Sequence, residues 1–374
     1  MEITSLLQTG RELGASDVHL VAQNVPVVRI HGALTRLTDM PVLTGENIDS
    51  LFEQMTDQEQ RQRFHRHAEL DFSYSIEDSG RFRVNAARQL GTTTMVIRIL
   101  PPNIPPLESL ALPAVCRELV FKPHGLIVIS GPTGSGKSTT MAAMIDHLNQ
   151  SKEARGKRVV TIEDPVEYLY NSENCLVSQR ELGNDTRSFV EGLRHVLRQD
   201  PDVILIGEMR DTDTAAAALT IAETGHLVLT TGHAPSATGA VERVIDLFPP
   251  HERQLVQTRM ASLLVGVLCQ ALVPRADRPG RVAAVEVMLA NAAVRNTIRE
   301  GKLFQLPNII RTHQQDGMQL LDHALIKLFR AGMISPSDLF AVCHDREEVQ
   351  RLIGKVDMDT DAVTPATPLA PVRS

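Results

Sequence analysis

Lys137 and Ser138, led by glycines at 131, 134 and 136, have the residue types and spacing to grip a polyphosphate. The run Gly131, Pro132, Thr133, Gly134, Ser135, Gly136, Lys137, Ser138 and Thr139 opens with G-x-x-x-x-G-K-[ST]. Such a loop wraps successive backbone N–H groups around the α- and β-phosphates, and the helix after it points its positive end at the same anion. Lys137 then reaches the β/γ-phosphates, and the Ser138 hydroxyl takes a place on Mg²⁺. Gly134 and Gly136 are expected to let the backbone come close where a Cβ would collide. The apolar run 126–129 ahead of the loop reads as a strand buried on both faces, and 138–150 as the helix that follows. That context implies a nucleoside triphosphate as ligand.

Two further apolar strands end in acid. VILIG runs into Glu208, and VVTI into Glu163 and Asp164. In an open parallel sheet, ligand chemistry gathers at the carboxyl ends of the strands. One of the two glutamates would hold Mg²⁺ and its waters, and the other would orient or deprotonate the attacking water. Phosphoryl transfer is mostly positioning and charge stabilisation, so little more is required. His226 and His233 flank a third strand at 227–231, and either a structural role or a γ-phosphate contact fits them. Arg81, Arg83 and Arg98 lie on adjacent strand candidates. They read either as cross-strand ion pairs or as guanidinium groups that reach a phosphate of the same or a neighbouring subunit.

The elements that must position these groups fall into an α/β chain. Residues 1–100 read as a small α+β domain, with helices at 3–13 and 45–55 and strands at 70–76, 81–87 and 94–99 after two earlier alternating segments. PPNIPPLESLALP, residues 101–113, has five prolines and reads as a semi-stiff linker. Residues 114–354 read as a second domain, in which 114–275 alternate strands (126–130, 159–163, 203–207, 227–231) with helices (138–150, 186–199, 212–223, 253–273), which calls for a parallel sheet flanked by helices. A strand-like VAAVEVM and several short helices follow. Residues 355–374, with three prolines and no periodicity, read as a disordered tail.

Composition bounds the partners. The chain has 374 residues, 43% hydrophobic and 22% charged, with a net charge of −7 from 38 basic and 45 acidic residues. No long Lys/Arg block stands out, which weighs against a nucleic-acid motor. Four scattered cysteines form no C-x-x-C pair, so a reducing cytoplasm is the expected compartment. The most apolar stretch, 263–273, is too short to cross a bilayer, so membrane contact is expected to be peripheral and through partners only.

Taken in order, seven segments resemble the secretion-type ATPases of type IV pilus and type II secretion systems, and among them the retraction ATPases of twitching motility. They are GASDVHL (14–20), GRFRVN (80–85), GPTGSGKST (131–139), TIEDPVEY (161–168), DPDVILIGEMRD (200–211), TGHLVLTTGH (224–233) and AVRNTIRE (293–300). The resemblance covers about residues 1 to 350. It implies a RecA-like P-loop ATPase domain preceded by a PAS-like domain, ATP and Mg²⁺ as cofactors, and a homohexameric ring. It assigns Glu163 as general base, Glu208 and Ser138 to Mg²⁺, His226 and His233 as nucleotide-state contacts, and Arg81, Arg83 and Arg98 to charge neutralisation. It further implies a cytoplasmic motor at the inner-membrane face, acting on a pilus platform protein, with a second retraction ATPase as a further candidate partner. Extension relatives usually carry a four-cysteine zinc motif after the histidine segment; here residues 234–300 hold only Cys269. The histidine segment departs from the usual TLHT by having Gly232 and Ala234. An accessory nucleotide-binding ring that needs a partner motor is the alternative, with a nucleic-acid translocase behind it.

Overall fold

A computed structural model describes residues 1–30, 32–76, 80–101 and 103–354. The expected tail at 355–374 lies outside the described residues. The chain divides into two compact units. The first is Met1–Ile104 with Glu163–Asn171 and Gln179–Thr186; the second takes Pro105–Ile162, Ser172–Ser178 and the chain from Arg187 onward.

The first unit is built on six antiparallel strands: β1 (Asp17–Leu20), β2 (Val27–Ile30), β3 (Ala33–Arg36), β4 (Glu69–Ile76), β5 (Gly80–Gln89) and β6 (Thr92–Ile99), in the order β3-β2-β1-β6-β5-β4. Side chains alternate as a half-buried sheet requires. Phe82, Val84 and Ala86 of β5 and Met95 and Ile97 of β6 go inward, whereas Arg83 and Arg98 stay exposed on the other face. Helices α1 (Ile3–Glu12), α2 (Gly45–Met55) and α3 (Gln58–His67) close the apolar face. The α2 start is a capping box: Thr44 Oγ1 accepts from Asn47 N at 3.2 Å and Thr44 N donates to Asn47 Oδ1 at 3.0 Å. A pattern of apolar residues does not announce α3, because it buries only Phe64, which sits 4.7 Å from the Phe52 ring. Its capping box, Asp57 with Gln60, was the available signal.

The two later segments join this unit through Glu181, whose carboxylate is buried. Its Oε2 accepts from Ser73 Oγ at 2.9 Å and from Val166 N at 2.9 Å, and Arg81 pairs with it. Asn184 Nδ2 donates to Oε1 at 2.5 Å, while Arg81 Nε also donates to the Val166 carbonyl at 3.1 Å. One carboxylate therefore gathers β4, β5 and both inserted segments.

The second unit begins with a short 3₁₀ turn, Leu107–Leu110, inside the proline-rich stretch. Then come α4 (Val115–Leu119), β7 (Gly125–Ser130), α5 (Lys137–Gln150), β8 (Arg158–Glu163), β9 (Leu176–Glu181), α6 (Phe189–Val196), β10 (Val203–Ile206), α7 (Thr212–Glu223), β11 (Leu227–Thr231), α8 (Ala237–Asp246) and α9 (Arg253–Leu263); Glu163 and residues 179–181, at the ends of β8 and β9, fall in the first unit. The chain continues through β12 (Leu264–Pro274), β13 (Arg281–Leu289), α10 (Ala292–Arg299), α11 (Leu306–Thr312), α12 (Leu321–Arg330), α13 (Pro336–Val342) and α14 (Arg346–Ile353). The sheet runs β13-β12-β7-β11-β10-β8-β9; β12, β7, β11, β10 and β8 are mutually parallel, and β13 is antiparallel to β12. Strands β7, β10 and β11 are buried at every position, as a two-sided parallel sheet demands.

One expectation is corrected. The segment 253–273 is a helix only to Leu263; from Leu264 it is a strand beside β7. The run LVGVLCQALV is apolar nearly throughout, so it satisfies a helical stripe and a doubly buried strand alike, and the open edge of β7 decides between them. The helix expected at 186–199 is also shorter, Phe189–Val196, started by Ser188, whose side chain accepts from Glu191 N. No helix among the described residues is long and apolar enough to cross a membrane.

Replacing Glu181 by Ala leaves Arg81 and the Val166 amide without their buried acceptor. Losing one partner of such a pair costs about 3 kcal/mol, enough to lower melting of the first unit by roughly 10 °C. Calorimetry of Glu181→Ala checks this; a shift under about 2 °C would mean the carboxylate does not hold the inserted segments.

Candidate active site

The phosphate-binding pattern lies on the turn between β7 and α5. Gly131, Gly134 and Gly136 have φ of +139°, +78° and +87°, a region L side chains rarely adopt. Their reasons differ. A Cβ on Gly131 would lie 2.2 Å from the Gln270 carbonyl and 2.8 Å from Ser135 Oγ. On Gly136 it would meet Gln270 Nε2 at 2.9 Å, but a Cβ on Gly134 would meet nothing within 4 Å among the described residues. So Gly134 is required by its dihedral, not by a collision with the protein, which revises the expectation for that position. Gln270, on β12, is the residue that sequence reasoning missed. It presses on the loop with its carbonyl, and its side-chain Oε1 accepts from Thr140 Oγ1 of α5 at 2.7 Å. Placing 264–273 in a helix had hidden it.

The loop has the attributes of an anion cradle. Gly136 caps α5 without any side-chain hydrogen bond, so the first-turn amides are not claimed by a capping side chain. Ser135 Oγ is buried with no hydrogen-bond partner among the described residues. Lys137, 9% exposed, folds its ammonium back onto the carbonyls of Gly131 (2.8 Å) and Pro132 (3.0 Å). A cleft of about 500 Å³ opens beside the loop between Gly136, Thr139, Gln270, Leu110, Arg278 and Arg281. One Arg281 guanidinium nitrogen comes within 3.5 Å of the Gly134 carbonyl.

The parallel strands deliver acid to the loop's edge of the sheet. Glu208 follows β10, two strand spacings or roughly 10 Å from β7. Its side chain is 12% exposed and sits between two partners: the Arg210 guanidinium, with Nη2 at 2.5 Å from Oε1, and the His233 ring, with Nε2 at 3.3 Å from Oε2. His233 leaves the end of β11 on a loop tied back to β7, because Gly232 N donates to Ile129 O at 2.9 Å and Ser130 Oγ donates to Ala234 O at 2.7 Å. Gly232 fits close against Ser130, whose Oγ would be 3.1 Å from an added Cβ. The structure thus brings Glu208 and His233 together at the loop's edge.

It does not bring His226 there. That residue precedes β11, at the opposite edge of the sheet, roughly 16 Å of strand away from His233. Its Nδ1 lies 3.1 Å from the Ile221 carbonyl and 3.0 Å from Thr224 Oγ1, closing the end of α7. Glu163 ends β8, the strand next to β10, and accepts from Gln179 Nε2 at 3.3 Å. Of the three arginines, Arg81 is engaged with Glu181, and Arg98 Nε lies 3.2 Å from Asp17. Arg83 faces Arg98 across the strands, exposed, with no hydrogen bond or ion pair among the described residues. Burial pushes the Cys116 thiol up to about 12 and Cys269 well above its ordinary value, so neither is a nucleophile at neutral pH.

Comparison with known proteins adds to this geometry. The family model for type II/IV secretion system proteins matches residues 2–327. The chain is 43% identical over 335 residues to the type IV pilus retraction ATPase PilT of Pseudomonas aeruginosa, covering 90% of this chain and 96% of that one. It is 40% identical over 334 residues to a twitching motility protein of Neisseria gonorrhoeae, covering 89% and 88%. Among solved structures, the crystal structure of the pilus retraction motor PilT with bound ADP superposes with a TM-score of 0.88 at 40% identity, covering 94% of this chain and 99% of that one. The chain therefore belongs to the type II/IV secretion system protein family.

Proposed function

We propose that the chain is an ATP-hydrolysing motor that powers type IV pilus retraction. The observation that carries this reading is the pairing of a glycine-strained phosphate loop with a carboxylate, Glu208, presented at the same sheet edge by His233 and Arg210. The loop amides of residues 131–139 and the Lys137 ammonium bind the phosphates; the lysine exchanges two backbone carbonyls for the β/γ oxygens. The cleft between Leu110, Gln270 and Arg281 accommodates the nucleoside. Ser138 and Glu208 would hold Mg²⁺, which supplies charge neutralisation on the transferred phosphoryl group. Glu163 accepts the proton of the attacking water, a role that rests on its place in the TIEDPVEY motif. His233 reads the nucleotide state through Glu208. His226 closes α7, and any part it plays with nucleotide lies with a neighbouring copy.

The working assembly on this reading is a homohexamer at the cytoplasmic face of the inner membrane, contacting the bilayer only through a pilus platform protein. A second retraction ATPase is a further partner. Arg83 is the arginine best suited to reach a phosphate across a subunit boundary, because Arg81 and Arg98 already have carboxylate partners.

Purified protein is expected to release phosphate from ATP at steady state. Glu208→Gln should abolish turnover while nucleotide still binds, and Lys137→Ala should lose triphosphate affinity with the fold intact, since the lysine supplies charge rather than packing. Unchanged ATP binding in Lys137→Ala would refute the loop assignment, and no turnover in the unaltered protein would favour the accessory ring. For the arginine, mixtures of Arg83→Ala with Glu163→Gln subunits should recover part of the activity each lacks alone. Failure of every mixing ratio would return Arg83 to a solvated surface role.

A further inference from the structure

Glu286 is a buried carboxylate that the nucleotide chemistry above does not use. It lies on β13 opposite Cys269 of β12, and only 3% of it is exposed. An acid in such a place needs compensation, and it is found at two helix starts. Oε1 accepts from Ala237 N at 2.6 Å, and Oε2 accepts from Leu321 N at 3.1 Å. Ala237 is the first residue of α8 and Leu321 the first of α12. The residue before α12 is Leu320, which has no side-chain oxygen to cap with, so the helix takes its acceptor from Glu286. Both helix dipoles aim their positive ends at one carboxylate.

The α8 end of this link matters for the site. Residues 232–236 form the short loop between β11 and α8, and they carry His233. Ser236 caps α8 itself, accepting from Gly239 N, and three further anchors hold the loop: Ile129 O on Gly232 N, Ser130 Oγ on Ala234 O, and Glu286 on Ala237 N. The first two come from the strand that feeds the phosphate loop. The third comes from β13, two strands beyond β7 in the sheet, and is shared with the C-terminal helices. We propose that Glu286 is a positioning residue for hydrolysis: it holds the His233 loop against Glu208 and couples that loop to the start of α12. The inference rests on the proposed ATPase reading, because it assigns a rate effect to His233 and Glu208.

A neighbouring acid supplies the control. Asp322 accepts from His344 N and Asp345 N at 2.8 Å each, fixing the turn that leads into α14, and among the described residues it makes no hydrogen bond to the 232–236 loop. Loss of either carboxylate strips two backbone amides of their acceptor; only loss of Glu286 removes an anchor of the His233 loop. Ala237→Pro offers a second route to the same hydrogen bond. Proline suits the first position of a helix, and Ser236, at φ −132° and ψ 160°, already has the extended backbone that precedes proline. That substitution removes one N–H and leaves the Glu286 side chain in place.

The test compares full-length Glu286→Gln, Ala237→Pro and Asp322→Asn by ATP turnover, by binding of a fluorescent ADP analogue, and by amide hydrogen exchange. The first two are expected to lower kcat about tenfold while the analogue's Kd stays within about twofold, the split expected for a group that acts through positioning and not through binding. Exchange should quicken in peptides covering 232–240 and stay unchanged in 131–150. Asp322→Asn should keep its kcat. Unchanged kcat in Ala237→Pro, or an equal loss in Asp322→Asn, overturns the proposal. If Glu286→Gln does not fold, Ala237→Pro decides alone. Absence of turnover in the unaltered protein would sink the ATPase reading instead; the exchange comparison would then still decide whether Glu286 holds the loop, with unchanged exchange at 232–240 counting against it.

Discussion

The constraint on which the site depends is the contact between Gly131 and the backbone of Gln270. The loop leaves β7 so close to β12 that a methyl group at 131 would overlap a carbonyl oxygen, 2.2 Å away. Only glycine can make that turn, and only a strand at 264–274 can bring the carbonyl there. Once the loop is pressed on β12, α5 starts with no side chain capping its first-turn amides. Cost and function coincide here: the backbone takes a conformation that most residues avoid, and the groups it leaves unmatched are those an anion would satisfy.

Parallel pairing does the remaining placement in the second unit. Because β7, β11 and β10 run side by side in the same direction, the loop, His233 and Glu208 emerge at one edge. The side chains there are held by neighbours and not by packing alone. Glu208 is gripped on both oxygens, and the His233 loop is tied both to β7 and to Glu286 of β13. Buried carboxylates recur as junctions: Glu181 gathers the first unit's inserted segments, and Glu286 joins two helix starts. In each case burial raises the cost of the charge, and several directed donors offset it. For Glu286 burial is the stronger influence, lifting its pKa above the usual carboxylate value even with both amides in place.

Much of this was legible in the residues alone. Buried strands at 126–130, 203–207 and 227–231 stand out because they are apolar on both faces and end in glycine, acid or histidine, and α2 is announced by Thr44 and its apolar spacing. The loop was legible because glycine spacing records backbone geometry directly. Segment 264–274 was not, since an unbroken apolar run has no period to distinguish helix from strand; the neighbour it packs on is a long-range fact. The same holds for side-chain partners. Nothing local in GRFRVN separates Arg81, engaged by an acid a hundred residues on, from Arg83, which has no partner among the described residues. His226 and His233 look equivalent as flanks of one strand, yet a parallel sheet sends its two ends to opposite edges. Glu286 was invisible as a helix cap because α8 and α12 reach it from distant parts of the chain.

The central claim is that this loop grips a polyphosphate while Glu208 serves its magnesium. A structure of the protein with Mg²⁺ and a non-hydrolysable ATP analogue tests it most directly. The account predicts that Lys137 Nζ leaves the carbonyls of Gly131 and Pro132 for the β- and γ-phosphate oxygens, and that the Glu208 carboxylate faces the metal or one of its waters. A lysine still folded onto those carbonyls, or an analogue bound away from residues 131–139, would contradict it.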